Sequence, residues 1–387
     1  MKITYIHQHF KLPTQGGGGR PFEFASRLAA RGHDVTVLAA GSRRETRQVD
    51  GLTIEFFASR YDNTMGVARR IRSFADFMVK TSVHAARRPA DVVFASSTPL
   101  TVVIPGAIAK HTQRARFVVE VRDLWPELPI ALGFLPRPLR PVASWLERFA
   151  YRKADLVIAL SPFMADGVKQ VHPSTDVTMV PNCADTQAFD VALTRSEARG
   201  RFDVAEDAVL FYYAGNLGVS YDPEWLAAFT VRAHFERARV LIAGEGAGVA
   251  PLSERLAEAG IAPESVLLGA LPRRDVAVLA RAADCAISSL VGVPALEGNS
   301  LNKVFDALAA GRPVVTNHGG WLNEFITTHG IGWRLPRQLG REDVHPLVQR
   351  LSDAAERQRL SNAALEGAAE FDRERWFTTF EEALLGS

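Results

Sequence analysis

Short apolar runs rich in valine, isoleucine, leucine and phenylalanine alternate with amphipathic stretches along almost the whole chain. This alternation restricts the fold more than any other feature. In the first half the runs fall at residues 3–6, 34–38, 52–56, 92–95, 117–121, 156–159 and 177–180. Helical patterns such as 21–31 and 144–153 lie between them. Strands that are apolar throughout and separated by helices build βαβ units around a buried parallel sheet. Past Pro181-Asn182, residues 185–207 are polar and without a strand pattern, as a linker would be. The alternation restarts at 209–213, 238–243, 266–268, 285–288, 313–316 and 332–335, and a last helical stretch covers 373–385. The expected architecture is α/β: a first domain over 1–185, a linker region at 186–207 and a second domain over 208–370, with a cleft between the domains. A terminal helix within 371–387 would be able to fold back on the first domain. At 387 residues, each half is long enough to bury its own core.

The formal net charge is only +2, which removes the electrostatic case for a nucleic-acid partner. Two cysteines, Cys183 and Cys285, stand far apart without metal-type spacing, so a reduced, cytoplasmic setting is expected. Met1 runs directly into the first apolar strand rather than into a leader pattern, and no apolar run approaches the roughly 20 residues that span a bilayer. The expected protein is soluble or peripheral.

Residues 300–320 say most about function. Asn299 or Ser300 suits an N-cap, which puts Lys303 and Asp306 in the first two helical turns. Their spacing of three brings ammonium and carboxylate onto adjoining parts of one face. Gly311 suits the helix exit, Pro313 prevents continuation, and a second helix is expected just after Gly319-Gly320. Helix N-termini near a strand end, with one cation and one acid, suit a nucleotide: diphosphate on the donors, ribose hydroxyls on the acid. A surface Lys–Asp pair on a helix–strand unit would read the same way.

Glycines also stand at three strand tips. Gly16, Gly17, Gly18 and Gly19 follow the first strand and precede Pro21, which fits a helix start. A dinucleotide fingerprint fails there, because its third glycine would be Pro21 or Phe22 and no acid ends the second strand. Gly215, Asn216 and Gly218 follow the strand at 209–213, and Gly244-Glu245-Gly246 follow 238–243. Tight βα turns use glycine anyway, yet together with residues 300–320 these turns put three candidate contacts on one domain. After 117–121 come Arg122, Asp123, Trp125 and Pro126, where Asp123 could meet sugar hydroxyls or a cationic centre and Trp125-Pro126 would form an apolar wall. No Asp-x-Asp pair occurs, and His7 with His9 lacks a third ligand, so no metal site is expected. Over residues 67–88, Val67, Ile71, Phe74, Met78 and Ala85 share one helical face. Arg69, Lys80 and Arg87 share the other, with Arg70 and Arg72 adding charge. Such a helix either packs as an ordinary surface helix or meets anionic lipid.

In this order, the segments resemble the retaining glycosyltransferases of family 4, over nearly the full chain. The resemblance is carried by the glycines at 16–19, by Arg31-Gly32-His33-Asp34-Val35-Thr36-Val37 and by Arg122-Asp123-Leu124-Trp125-Pro126-Glu127. Val180-Pro181-Asn182-Cys183-Ala184-Asp185 with Phe189, Gly215-Asn216-Leu217-Gly218 and residues 300–320 complete it. Asp-Leu-Trp-Pro-Glu and Asn-Lys-Val-Phe-Asp look most like the branch that builds bacterial surface polysaccharides, including fucosamine transferases. The resemblance implies the GT-B fold, two Rossmann-like domains with parallel sheets facing an interdomain cleft. It also implies metal-independent transfer, without a cofactor, of a hexosyl or N-acetylhexosaminyl group from a nucleotide diphosphate-sugar, UDP-sugars being favoured. A polyprenyl-diphosphate-linked glycan is the implied acceptor, at the inner face of the plasma membrane.

Donor contacts are then expected from Gly215, Asn216, Gly218, Glu245, Asn299, Ser300, Asn302, Lys303 and Asp306. The acceptor or phosphate loop would comprise Gly17, Gly18, Gly19 and Arg122, with Asp123 and Lys303 catalytic. Arg69, Arg70, Arg72 and Lys80 would face the membrane. Asp306 matches the second acid of the family's pair, whereas Gly298 stands where the first belongs and Glu297 is one position off. Arg122 replaces a histidine common among relatives, and Cys183 a glycine. The lysine usual after the glycine turn is missing from 218–222, which raises the importance of Lys303. Two other functions fit the same motifs: a sugar-nucleotide epimerase, and a non-catalytic sugar-nucleotide-binding partner of a membrane glycan complex.

Overall fold

The computed structural model describes residues 1–13, 19–61, 65–340 and 342–386. It divides into two compact units, Met1–Pro181 with Gly298–Ser300 and Glu374–Ser387, and Asn182–Glu297 with Leu301–Arg373.

Among the described residues, the first unit holds β1 (Lys2–Ile6), β2 (Asp34–Gly41), β3 (Glu45–Val49), β4 (Leu52–Ala58), β5 (Val92–Ser96), β6 (Arg116–Val121), β7 (Leu156–Ala159) and β8 (Val177–Met179). They form one sheet in the order β3-β4-β2-β1-β5-β6-β7-β8. The central strands are buried on both faces, as their unbroken apolar composition requires. All pairings are parallel except β3 with β4. The β3 strand has no counterpart in the periodicity, because Glu-Thr-Arg-Gln-Val is a polar antiparallel edge with no face to bury.

The second unit holds β9 (Leu210–Ala214), β10 (Arg239–Ala243), β11 (Leu267–Gly269), β12 (Cys285–Ser288), β13 (Val314–Thr316) and β14 (Gly332–Arg334), all parallel in the order β11-β10-β9-β12-β13-β14. Strand order reverses beside β1 in the first sheet and beside β9 in the second. The carboxyl ends of β1, β5, β9 and β12 are therefore where each sheet opens for a ligand.

Residues 186–207 carry two short helices, Thr186–Phe189 and Arg195–Gly200, the latter closed by a reciprocal Thr194–Glu197 cap. The fully buried Arg199 donates to Asp284 at 2.7 Å and to the carbonyls of Ala205 and Ala208. Asp284 in turn accepts from the Leu210 amide, which ties this stretch to the start of β9. At the other end of the chain, the helix Arg373–Leu385 buries Phe377 and Phe380 against Phe24 and Phe94 of the first unit. No helix of the described residues is long and apolar enough to cross a membrane.

Candidate active site

In the second unit the turns after β9 and β10 are built against each other. Gly215 adopts φ 137°, open to glycine alone without strain. A Cβ at Gly244 would lie 2.0 Å from the Gly215 carbonyl oxygen, so the two backbones touch where no side chain fits. Leu217 donates its amide to the Glu245 carbonyl at 2.8 Å, and Gly248 donates to the Leu217 carbonyl at 2.7 Å.

The helix Asn302–Ala309 presents Lys303 to this pair of turns. Lys303 Nζ donates to Tyr213 Oη at 2.5 Å, and Tyr213 Oη donates to the Asn216 carbonyl at 2.7 Å. The ammonium lies 3.8 Å from the Tyr213 ring centroid and 3.7 Å from that of Tyr221. Its Cε comes within 3.7 Å of the Cβ position of Gly215. Burial holds the Lys303 ammonium well below the ordinary lysine range. A cation held by two π faces and a phenol oxygen lacks a full countercharge, which an anionic ligand beside the glycine turn would supply.

One turn along the same helix, burial raises the Asp306 carboxyl, opposed by Arg273, whose guanidinium lies 3.0 Å away. Arg273 also approaches Asp185 at 3.6 Å, and Asp185 pairs with Arg373 at 2.8 Å. Gly319 donates its amide to Glu297 Oε1 at 3.3 Å, just ahead of the helix Trp321–Thr328. His318 beside it bonds Ser288 Oγ at 3.1 Å and is lowered to about 4, chiefly by burial.

Of the donor residues expected from sequence, Gly215, Asn216, Gly218, Glu245, Asn302, Lys303 and Asp306 thus fall on the β9 and β10 turns and one helix. The Glu245 carbonyl is occupied by the Leu217 amide, and its side chain is exposed. Asn299 and Ser300 do not cap that helix: the N-cap is Leu301, without a side-chain cap bond, because the chain stays extended through that residue. Gly298–Ser300 group with the first unit instead. Tyr213, Tyr221 and Arg273 escape the sequence reading. A tyrosine ending an apolar strand signals only core until Lys303, 90 positions on, is seen to reach it.

The carboxyl end of the first sheet collects a second group. His7 Nδ1 bonds the Ser96 carbonyl at 3.2 Å, its Nε2 lies 3.5 Å from Arg122 Nη1, and the Arg122 amide donates to Ser97 Oγ at 3.1 Å. Burial leaves both His7 and His9 below the usual histidine range, His9 at about 4, so both are neutral at pH 7. Burial pushes the neighbouring Asp123 carboxyl up to about 6 against the pull of Arg122. Beneath them, Arg20 and Glu120 form a buried ion pair at 2.8 Å, with Ser96 donating to the same carboxylate at 2.5 Å. Gly19 opens the helix Arg20–Ala30 in extended backbone, without a side-chain cap. Gly17 and Gly18 lie outside the described residues.

The helix Val67–Ala85 packs on a different stripe from the one expected. Ser73, Phe77, Thr81 and Ala85 are buried, while Val67 and Ile71 are exposed. The buried stripe passes through the polar Ser73 and Thr81, so hydrophobic periodicity selects a neighbouring one that shares only Ala85 with it. Arg69 and Arg72 face solvent. Arg70 donates to the Met65 carbonyl and covers the Phe134 ring, and Lys80 is held by Asp76 and the Ala58 carbonyl.

Two family descriptions match this chain: "Glycosyl transferase 4-like domain" over residues 16–183 and "Glycosyl transferases group 1" over residues 209–353. A curated relative, an alpha-D-kanosaminyltransferase of Streptomyces kanamyceticus, is 24% identical over 239 residues, 60% of this chain and 60% of that protein. The match thus spans well under two thirds of that relative's length. Sucrose-phosphate synthase from Thermosynechococcus elongatus superposes with a TM-score of 0.79 at 16% identity, covering 98% of this chain and 97% of its own. The Anabaena protein HepE, in complex with UDP, superposes with a TM-score of 0.72 at 18% identity over 100% of both chains. With two parallel-sheet units and both halves matched, the chain belongs to the glycosyltransferases of GT-B fold.

Proposed function

We propose that the protein transfers a hexosyl or N-acetylhexosaminyl group, with retained configuration and without a metal, from a UDP-sugar to a polyprenyl-diphosphate-linked glycan. The setting is surface-polysaccharide assembly at the cytoplasmic face of the membrane. The carrying observation is the Lys303 ammonium, caged by Tyr213 and Tyr221 beside a glycine turn and one helical turn from Asp306. Binding of UDP by HepE supports the donor class.

On this reading the donor diphosphate lies along the Gly215 and Gly244 turns with Lys303 as its cation, and Asp306 accepts the ribose hydroxyls. Glu297, held at the Gly319 amide, supplies the sugar-facing carboxylate that Gly298 lacks. The bond from the anomeric carbon to the diphosphate oxygen breaks through an oxocarbenium-like state. The acceptor oxygen adds on the same face, and its proton passes to the departing diphosphate. Lys303 and the turn amides stabilise that developing charge, and preorganised donors of this kind contribute roughly 3–4 kcal/mol each. Arg122 and Asp123 serve the acceptor.

A thermal-shift screen of UDP-, GDP- and dTDP-sugars tests the donor half. The right donor at a hundred times its Kd stabilises the fold by about 2.7 kcal/mol. Proton NMR after incubation with donor alone separates transfer from epimerisation, because an epimer keeps the donor's mass and changes only its ring couplings. Absence of stabilisation by every nucleotide sugar, or a Lys303→Ala protein with normal donor affinity and turnover, overturns the reading.

A further inference from the structure

Four helices, Val67–Ala85, Val103–Gln113, Arg140–Lys153 and Pro162–Val171, cover one face of the first sheet. Their inward residues Phe77, Val103, Leu146 and Met164 share one core cluster with strand residues Val93, Val119 and Val157. The helices Arg20–Ala30 and Arg373–Leu385 pack together through Phe24, Phe377 and Phe380, outside that cluster.

The two helical layers differ in two independent respects. Apart from Met1, every large apolar side chain that the first unit leaves exposed among the described residues sits on three helices of the four-helix layer. Val142, Val79, Trp145, Val83 and Phe163 are the most exposed. The four helices also carry ten lysines and arginines against three carboxylates, whereas the other two carry four against four. The whole chain is only +2, so positive charge is concentrated on this face.

The helix Arg140–Lys153 shows the pattern most clearly. Val142, Trp145, Arg148, Phe149 and Arg152 recur at spacings of three and four, and so share its outward side. Trp145 is 56% exposed and stacks on Phe149 with ring centroids 5.4 Å apart. Arg148 and Arg152 flank the stack, and Val171 and His172 line the same shallow pocket. The one carboxylate of this helix, Glu147, is turned aside to bond Tyr151.

We propose that this four-helix face docks on an anionic lipid bilayer, with the helix Arg140–Lys153 lying in the headgroup plane. Trp145 and Val142 enter the interfacial layer, while Arg148 and Arg152 keep their charge on lipid phosphates. Exposed apolar residues on three helices, in a layer with a surplus of lysines and arginines, fit a broad charged surface better than a single acidic peptide. The inference deepens the membrane setting proposed above, but its test needs no turnover.

Full-length protein is sedimented with phosphatidylglycerol–phosphatidylcholine vesicles and with pure phosphatidylcholine. Binding is expected only to the anionic vesicles. A cation near such a surface contributes about a fivefold factor in affinity, so Arg148→Glu with Arg152→Glu lowers binding by at least about 20-fold. Arg375→Glu, on the other helical layer, leaves it unchanged. Brominated lipid quenches tryptophan fluorescence in the native protein and much less in Trp145→Phe. These side chains are exposed, so unchanged thermal midpoints are expected and certify folding. No binding to anionic vesicles, including the case in which only an acidic protein binds, overturns the proposal, as does binding that survives the double charge reversal. Transfer to a short, water-soluble acceptor is expected to persist in the double variant. Loss of vesicle binding and loss of transfer are therefore read separately.

Discussion

Donor binding is expected to draw a proton from solution, because burial over Tyr213 and Tyr221 already holds the Lys303 ammonium well below the ordinary lysine range. A diphosphate placed about 4 Å from that ammonium attracts it by about 4 kcal/mol at an effective dielectric constant near 20. At 1.36 kcal/mol per pH unit, the interaction opens a window about three pH units wide between the free and the donor-bound titrations. Inside that window donor affinity falls about tenfold per pH unit as pH rises, and it is flat on either side. Calorimetry in buffers of different ionisation enthalpy reads the uptake directly, as up to one proton per donor inside the window and none on either side of it. In Lys303→Met the uptake vanishes and affinity drops by about two orders of magnitude, the loss of one charge-assisted partner. The same substitution should stabilise the free protein. With the folded lysine titrating below the unfolded one, the unfolded chain binds more protons between those two titrations, so folding stability rises with pH across that range and the buried charge is a cost below it. Removing it raises stability near neutral pH by about 1–2 kcal/mol, measured by urea titration. Donor binding with no proton exchange up to the ordinary lysine range, or a Lys303→Met protein that is less stable, refutes the argument.

Two further outcomes test the remaining geometry. With Asp123 titrating at about 6 and needed as carboxylate, kcat/KM should fall as pH drops through that value, and Asp123→Asn should remove this acid limb while lowering the plateau. Gly244→Ala forces a methyl against the Gly215 carbonyl, so a stability loss of about 1–3 kcal/mol with weaker donor binding is expected from chemical denaturation and a binding titration.

The central strands were legible because doubly buried strands leave near-continuous apolar runs, and the glycine turns because backbone-to-backbone contact permits nothing else. The polar edge strand Glu45–Val49 was not, since nothing in it is buried on either face. The helix start near Ser300 was misread because good capping residues were present but the chain does not turn there, so Leu301 takes the position. For the helix Val67–Ala85, the buried stripe runs through Ser73 and Thr81, which a hydrophobicity pattern passes over in favour of Val67 and Ile71. The Lys303 cage illustrates the largest limit. Its tyrosines sit 90 and 82 positions away, and only the β9-to-β12 neighbour relation brings those segments together.

The helix Arg373–Leu385 has a consequence for biosynthesis. Phe377 and Phe380 complete the packing around Phe24 and Phe94, yet they are made long after the rest of the first sheet. With domains otherwise folding as they emerge, at about 5–20 residues per second, the first unit stays incomplete for roughly 10–40 s after Pro181 has been made. Throughout that interval an aromatic surface meant for the terminal helix is open to water and to other nascent chains. A stop codon or a stall anywhere upstream of Phe377 would therefore release a chain in which Phe24 and Phe94 have never met their aromatic partners.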